Sequence, residues 1–345
     1  MGFCGLHLKK LISLILAACV ASAPATFANA AGGQALRGAG STLAGPLLGE
    51  WAQTFRVFYG VSVNYDAFGS LPGINAVSSR TVDFGASDAP LTAAQAGACH
   101  SCYQIPWAVT GIGVGYHLHG VGTLHLTGGV LAEIFSGQLT RWNDPRITAL
   151  NAGARLPALK ITPIYTNSSG ATYAFTDYLS RVSASCRAHI GHGIIVSFPT
   201  GLAGNGNVGA TALLASTNGS IAYIGAAYLI AHRLPAAAIQ NAAGNYEYPN
   251  LRNIASAART IEHVPAGNAL SIVDPPSAAR AAYPISSFVY AIVPANAPQR
   301  STLKQWLSYT LGAGQTFGPA LDFATIPPVV LKASRATIAR FASHG

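Results

Sequence analysis

Apolar and polar residues alternate along this chain in two rhythms. Leu43, Leu47, Leu48, Trp51, Phe55 and Phe58 return at three- and four-residue steps, which predicts one helix with a single apolar stripe. Val61, Val63 and Tyr65 alternate as in a strand, residues 68–73 break it, and residues 74–79 read as helical. Val82, Phe84 and Ala86 alternate again, as a short buried strand running into Ser87-Asp88. A helix is expected from Ala89-Pro90, because Asp is a good N-cap and Pro is tolerated in a first turn. Residues 161–165 read as a further strand. After Asn167-Ser168-Ser169-Gly170-Ala171 comes a helix carrying Tyr173, Phe175, Tyr178, Leu179 and Val182.

The later chain continues in kind. A glycine-rich loop at 199–207 precedes an apolar helix at 210–214, and strands are expected at 220–224 and 286–293. Residues 241–253 are polar and read as a loop, while 303–309 and 331–341 read as amphipathic helices. No repeat of fixed period is present. Alternating strands and helices define the α/β class.

Four strand-turn-helix units thus place Thr42, Ser70, Asp88 or Ser169 where a helix begins. Free N–H groups and partial positive charge at such ends favour anions, and ligands of open α/β sheets sit at the carboxyl ends of strands. Taken singly, each of these residues reads as a helix cap. Four together, with three glycine-bearing turns, point to a ring of donors around one small oxyanion. The Gly38-Ala39-Gly40 turn lacks the spacing of a dinucleotide or Walker fingerprint.

Composition narrows the compartment. The 345 residues suffice for two domains, and half are hydrophobic with only 9% charged. Yet no apolar run in the body reaches the roughly 20 residues of a membrane span. Residues 1–30 read as a cleavable signal peptide: Lys9 and Lys10, an apolar stretch at 11–23, and a small-residue region ending Ala28-Asn29-Ala30. The alternative is a lipoprotein box with Cys19 as the acylated residue; either way the protein is exported. The formal net charge is +9, and losing Lys9 and Lys10 leaves 18 basic against 11 acidic residues, +7. Acids are scarce more than bases are abundant. No Lys/Arg run marks a nucleic-acid partner, and few carboxylates would suit an acidic exterior. Cys99 and Cys102 are expected to form a local structural disulfide in an oxidising compartment, with Cys186 then left free and buried or pairing with one of the two.

Gly-Ala-Gly-Ser-Thr-Leu-Ala-Gly-Pro at 38–46, Thr-Val-Asp-Phe-Gly-Ala-Ser-Asp-Ala-Pro-Leu at 81–91 and Ser-Gly-Gln-Leu-Thr-Arg-Trp-Asn-Asp-Pro at 136–145 resemble the periplasmic phosphate-binding protein of bacterial ABC importers. So do the segments 199–207, 221–225, 283–287 and 321–327, in order along nearly the whole mature chain. The resemblance implies a two-lobed, type II periplasmic-binding-protein fold with the ligand in the interlobe cleft. Lobe one would be 31–113 plus 286–345, and lobe two 114–285. It implies ligand contacts at Thr42, Leu43 (through its N–H), Ser70, Asp88, Ser169 and Gly170 (through its N–H).

In this reading Asp88 accepts a hydrogen bond from a protonated oxyanion and repels a fully ionised one, so phosphate is taken and sulfate refused. The implied partners are inorganic phosphate and, outside this chain, two permease chains and an ATPase. The protein would be a periplasmic monomer with no cofactor and no catalytic role.

Three positions depart from the family pattern. Tyr165 stands for an Arg, Asn167 for the Asp that pairs with it, and Ala171 for a Thr. Arg and Asp are missing together, so local formal charge is preserved. Tyr165 and Asn167 are the candidate substitutes, as weaker neutral donors. Arg37 or Arg80 could bring charge from another direction, although each reads more simply as a solvated Arg. A monoanionic ligand, prevalent in acid, would need less compensation. The competing readings are another oxyanion (arsenate or sulfate), a sensor or adhesion role, and a phosphomonoester hydrolase. Against the last, the chain has no Gly-x-Ser-x-Gly elbow and no His-Glu-x-x-His helix. His117, His119, His125, His189 and His192 read as structural or surface histidines.

Overall fold

The computed structural model describes residues 35–343. The expected signal peptide and the Cys19 alternative lie outside the described residues. Thirteen strands occur among the described residues. They are β1 (Ala35–Gly40), β2 (Ser62–Ala67), β3 (Phe84–Ser87), β4 (Cys102–Tyr116), β5 (His125–Leu126), β6 (Thr162–Thr166) and β7 (Leu202–Gly204). β8 (Ser220–Gly225), β9 (Ala238–Gln240), β10 (Tyr246–Glu247), β11 (Ile272–Val273), β12 (Ile285–Pro294) and β13 (Phe323–Ala324) complete them.

The main sheet runs β2-β1-β3-β12-β4-β8-β6-β7, with β11 added on β12 and β13 on β4. β1 is parallel to β2 and β3, and β6 is parallel to β7 and β8. Antiparallel β12 and β4 lie between the two parallel sets. β4 pairs through Cys102–Gly111 with β12 and through Ile112–Tyr116 with β8, so one strand belongs to both sets. Its near-continuous apolar run follows from being covered on both faces.

Each parallel set has its own aromatic core. Beside β1–β3, Trp51, Trp107 and Trp306 meet edge to face, with Trp51 5.4 Å from Trp107 and 6.3 Å from Trp306 between ring centroids. Phe55 and Phe84 fill the gaps between them. Beside β6–β8, Phe175 stacks on Tyr223 at 4.3 Å and meets Phe135 edge-on at 4.7 Å. Burying such side chains contributes roughly 1.5–3 kcal/mol each, and the ring geometry about 0.5–1.5 kcal/mol per pair.

The predicted first helix is Gly45–Tyr59, burying Leu47, Leu48, Trp51 and Phe55, so Thr42 lies in the turn ahead of it and does not cap it as expected. Phe58 breaks the expectation: it is 69% exposed, one step past the last residue that the core can reach. Gly60, in the left-handed region at φ 68°, ends the helix. The polar 241–253 stretch is not all loop. It holds β10 and the start of helix Leu251–Ala258, where Asn250 caps the Asn253 N–H at 3.0 Å and Ile254 and Ala257 are buried.

No helix starts at Ala89 either. An Asp cap would have to bond the N–H group of residue 90 or 91. Pro90 has none, and the Leu91 N–H donates to Gln104 Oε1 at 2.6 Å. The helix Ala93–Ala98 instead starts after Thr92, which forms a capping box with Gln95. Cys99 and Cys102 form a disulfide, and Cys186 is free and buried. Among the described residues no helix is long and apolar enough to cross a membrane.

Candidate functional site

Released from capping, the Asp88 side chain turns into the protein, where it is 1% exposed. It stands just past the carboxyl end of β3, and two serines hold it. Ser41, in the turn after β1, donates its hydroxyl to Asp88 Oδ1. Ser70, the first residue of helix Ser70–Ser78, donates to Oδ2 at 3.3 Å. The Ser70 hydroxyl also accepts the N–H groups of Asp88 at 3.2 Å and Gly170 at 3.1 Å. One hydroxyl thus ties β3, helix Ser70–Ser78 and the start of helix Gly170–Val182 together. Behind Asp88, its carbonyl accepts the Ser287 hydroxyl of β12 at 3.0 Å.

Thr42 forms a second node. Its Oγ1 accepts from the Asn207 backbone N–H at 3.2 Å and from Asn207 Nδ2 at 2.8 Å, which leaves its own proton to donate. The Thr42 carbonyl accepts the Tyr228 hydroxyl at 2.7 Å, and the Ser41 carbonyl accepts the Tyr65 hydroxyl at 2.8 Å. Leu43 is buried beside them. Ser169 caps helix Gly170–Val182, accepting the Ala171 N–H at 3.2 Å, and its proton too stays available. Helices Ser70–Ser78, Gly170–Val182 and Gly206–Ser216 all begin at these nodes, so their partial positive ends converge.

Two glycines are steric requirements. Gly40 has φ 140°, and a Cβ there would lie 2.1 Å from the Ala86 carbonyl oxygen. A Cβ on Gly170 would lie 2.5 Å from Asp88 Cβ and 2.7 Å from both Asp88 Oδ2 and Ser70 Oγ. Gly170→Ala is therefore expected to push the start of helix Gly170–Val182 off the cluster and to destabilise the fold by about 1–3 kcal/mol. Urea denaturation reads this directly; an unchanged midpoint would mean that the two elements separate freely.

The electrostatics are one-sided. Burial pushes the Asp88 carboxyl up to about 7, and the bonds from Ser41 and Ser70 only partly oppose it. Tyr65 is held well above its ordinary value by burial and then by the Asp88 charge. The same two causes push Tyr228 up to about 12. Among the described residues no cation answers Asp88. Arg37 is exposed on β1, and the Arg80 guanidinium is spent on the carbonyls of Val77, Ser78, Cys99 and His100. The ion pairs among the described residues join Arg146 to Glu133 and Asp144, and Arg181 to Asp177, none of them in this cluster.

Of the residues singled out in the sequence, hydrogen bonds join Ser70, Asp88 and Gly170 directly, while Thr42 and Leu43 lie in the turn that follows Ser41. Ser169 sits beside Gly170. Tyr165 is half-buried on β6, its ring 5.1 Å from Phe198, and Asn167 is exposed. Among the described residues no hydrogen bond links either to Asp88, Ser70 or Thr42. The sequence reading missed Ser41, Tyr65, Asn207, Tyr228 and Ser287. Ser41 and Asn207 stood inside glycine-rich turns that it had marked, a signal that could have found them. Chemically, the cluster offers neutral hydroxyls and amides and one carboxylate, a set suited to an anion that carries a proton.

Buried, side-chain-lined helix starts along the strand ends of a mixed sheet define a class: a binding protein of the periplasmic-binding-protein type II fold. A PBP superfamily domain matches residues 25–313. The chain is 32% identical over 303 residues to the phosphate-binding protein PstS of Xylella fastidiosa, covering 86% of this chain and 83% of that protein. It is 31% identical over 313 residues to PstS of Pasteurella multocida, covering 89% and 90%. It belongs to the PstS family of phosphate-binding proteins. A high-affinity periplasmic phosphate-binding protein solved with bound phosphate has the same fold, with a TM-score of 0.71 at 21% identity over 88% of this chain and 93% of that one.

Proposed function

We propose that this chain captures inorganic phosphate outside the cytoplasm and delivers it to an ABC importer made of two permease chains and an ATPase. The observation that carries the reading is the buried Asp88 carboxylate gathered with Ser70 Oγ and the Gly170 N–H. Thr42, Leu43 N–H and Ser169 donate to the phosphate oxygens, Ser70 and the Gly170 N–H turn to them from the bonds they now make to Asp88 and to Ser70, and Asp88 accepts the ligand's proton. A fully ionised sulfate meets an unpaired buried carboxylate and is refused. Residues 31–113 with 286–345 form one lobe and residues 114–285 the other. The strands β4 and β12, which run on across the sheet, serve as the joint between them. The mature chain acts as a monomer and performs no turnover. This is consistent with Ser70, whose partners are a carboxylate and two amides and include no histidine.

Titration calorimetry with phosphate, arsenate and sulfate tests the reading. Phosphate is expected to give heat at one site per chain, with sulfate weaker at neutral pH. No phosphate heat at any pH, or tighter sulfate than phosphate binding, would overturn it.

A further inference from the structure

A buried carboxylate without a cation should take up a proton and become a donor, and a donor cannot check the ligand for hydrogen. Something must keep Asp88 able to accept. The turn after β1 brings Ser41 and Thr42; β2 brings Tyr65 and, beyond it, Asp66; helix Ser70–Ser78 brings Ser70. Helix Gly170–Val182 brings the Gly170 amide, helix Ala226–Ala231 brings Tyr228, and β12 brings Ser287. Among the described residues no Lys, Arg or His faces it, and the nearby tyrosines and Asp66 can add only negative charge.

Ser70 is shared between the carboxylate and two backbone amides, and its bond to Oδ2 is long at 3.3 Å. Ser41 is different. It is fully buried, and its acceptor side is fixed by the Ala44 N–H at 3.1 Å, so its single proton is aimed at Asp88 Oδ1. It contacts the carboxylate oxygen that Ser70 does not. The carbonyl of Ser41 is in turn held by Tyr65 at 2.8 Å, which fixes the turn.

We infer that Ser41 is a positioning residue for this site: its donated hydrogen bond favours the ionised form of Asp88 and leaves Oδ2 to read the ligand proton, and so sets phosphate-over-sulfate selection in a site to which the described residues bring no cation. The inference rests on the phosphate-capture reading above. It gives Ser41 a role distinct from ligand contact: its proton goes to Oδ1, whereas the proposed ligand donor Ser70 meets Oδ2. Acidification should abolish selection, since a protonated Asp88 can donate to sulfate. The pH at which selection disappears is the signature of this role.

Competition calorimetry with phosphate and sulfate across pH, on the wild type and on Ser41→Ala, Ser41→Cys and Ser41→Thr, provides the test. For Ser41→Ala the phosphate-over-sulfate ratio at neutral pH is expected to drop about tenfold, the lower end for losing one hydrogen bond to a charged group. The pH at which selection is lost should rise by about one unit. Ser41→Thr, which keeps the hydroxyl, should restore the wild-type profile. Ser41→Cys keeps the side-chain size but donates weakly, so it should shift in the same direction as Ala, and it serves if the Ala variant does not fold. An unmoved selection profile in Ser41→Ala or Ser41→Cys, while the wild type binds phosphate, would overturn the inference and leave Ser41 as a turn former. A wild type that binds no phosphate at all would instead refute the functional reading beneath it.

Discussion

Asp88→Asn is expected to remove roughly 4 kcal/mol of pH dependence from the folding stability of this protein. The Asp88 carboxyl is lifted from an ordinary 3.8 to about 7 in the folded chain, burial being the largest cause. Between those two values the folded state holds a proton that the unfolded state has released. Stability is therefore fully present below about 4 and is lost as pH rises towards and through 7. A shift of about three units, at about 1.4 kcal/mol each, gives the magnitude. Asn is similar in shape and cannot ionise, so the variant should be flat over this range and more stable than the wild type above it. Urea denaturation at a series of pH values measures this slope; an equally steep Asn variant would show that Asp88 is not its source. The scarcity of acids, 11 in the whole sequence, leaves few other carboxylates to mask the effect. Asp144 runs the opposite way, held down to about 2 chiefly by the bonds from Arg146, but it titrates in stronger acid.

Phosphate affinity is expected to fall at least about tenfold as pH rises by two units through neutrality. Each proton lost, from Asp88 or from the ligand, adds negative charge to a buried cluster with no Lys, Arg or His among the described residues. Neutral hydroxyls and amides stabilise an anion, but each is weaker than a charged donor. The monoanion in contact with a protonated or singly ionised cluster is thus the favoured pair. Tyr165→Arg would place a cation on β6, ahead of the turn that leads to Ser169. It should raise affinity by roughly ten- to a hundredfold at the alkaline end, the worth of a hydrogen bond from a charged donor, and flatten the decline. Calorimetry across pH on both chains checks this. A wild-type affinity that stays level, or an Arg variant that binds no better in alkali, would mean that positive charge does not limit the site.

Particular residues show what could be read without coordinates. The apolar stripe from Leu47 to Phe55 gave its helix, because side chains spaced by a helical turn must share one face. β8 and β12 were legible because a strand covered on both faces must be apolar throughout. The helix start at Gly170 was legible from a glycine-bearing turn after a strand, whereas helix Ser70–Ser78 begins four residues ahead of the expected 74–79. The misplaced helix at Ala89 shows the limit. Local preference made Asp88 a cap, and the decision lay with Gln104, Ser41 and Ser70, none of them its neighbours in sequence.

The chain's order of residues by itself determined the α/β alternation, the apolar faces, the disulfide-forming spacing of Cys99 and Cys102, and the hydroxyls at helix beginnings. Each of these depends on residues a few positions apart, whose geometry is set by backbone periodicity. Only the tertiary structure decided that Asp88 faces inward, that among the described residues no cation meets it, that Ser41 holds one of its oxygens, and that Asn207, Tyr228 and Ser287 brace the site. Those bonds join residues 47 to 199 positions apart. Pairing at that distance is fixed by how the sheet stacks its strands, and no local periodicity records it.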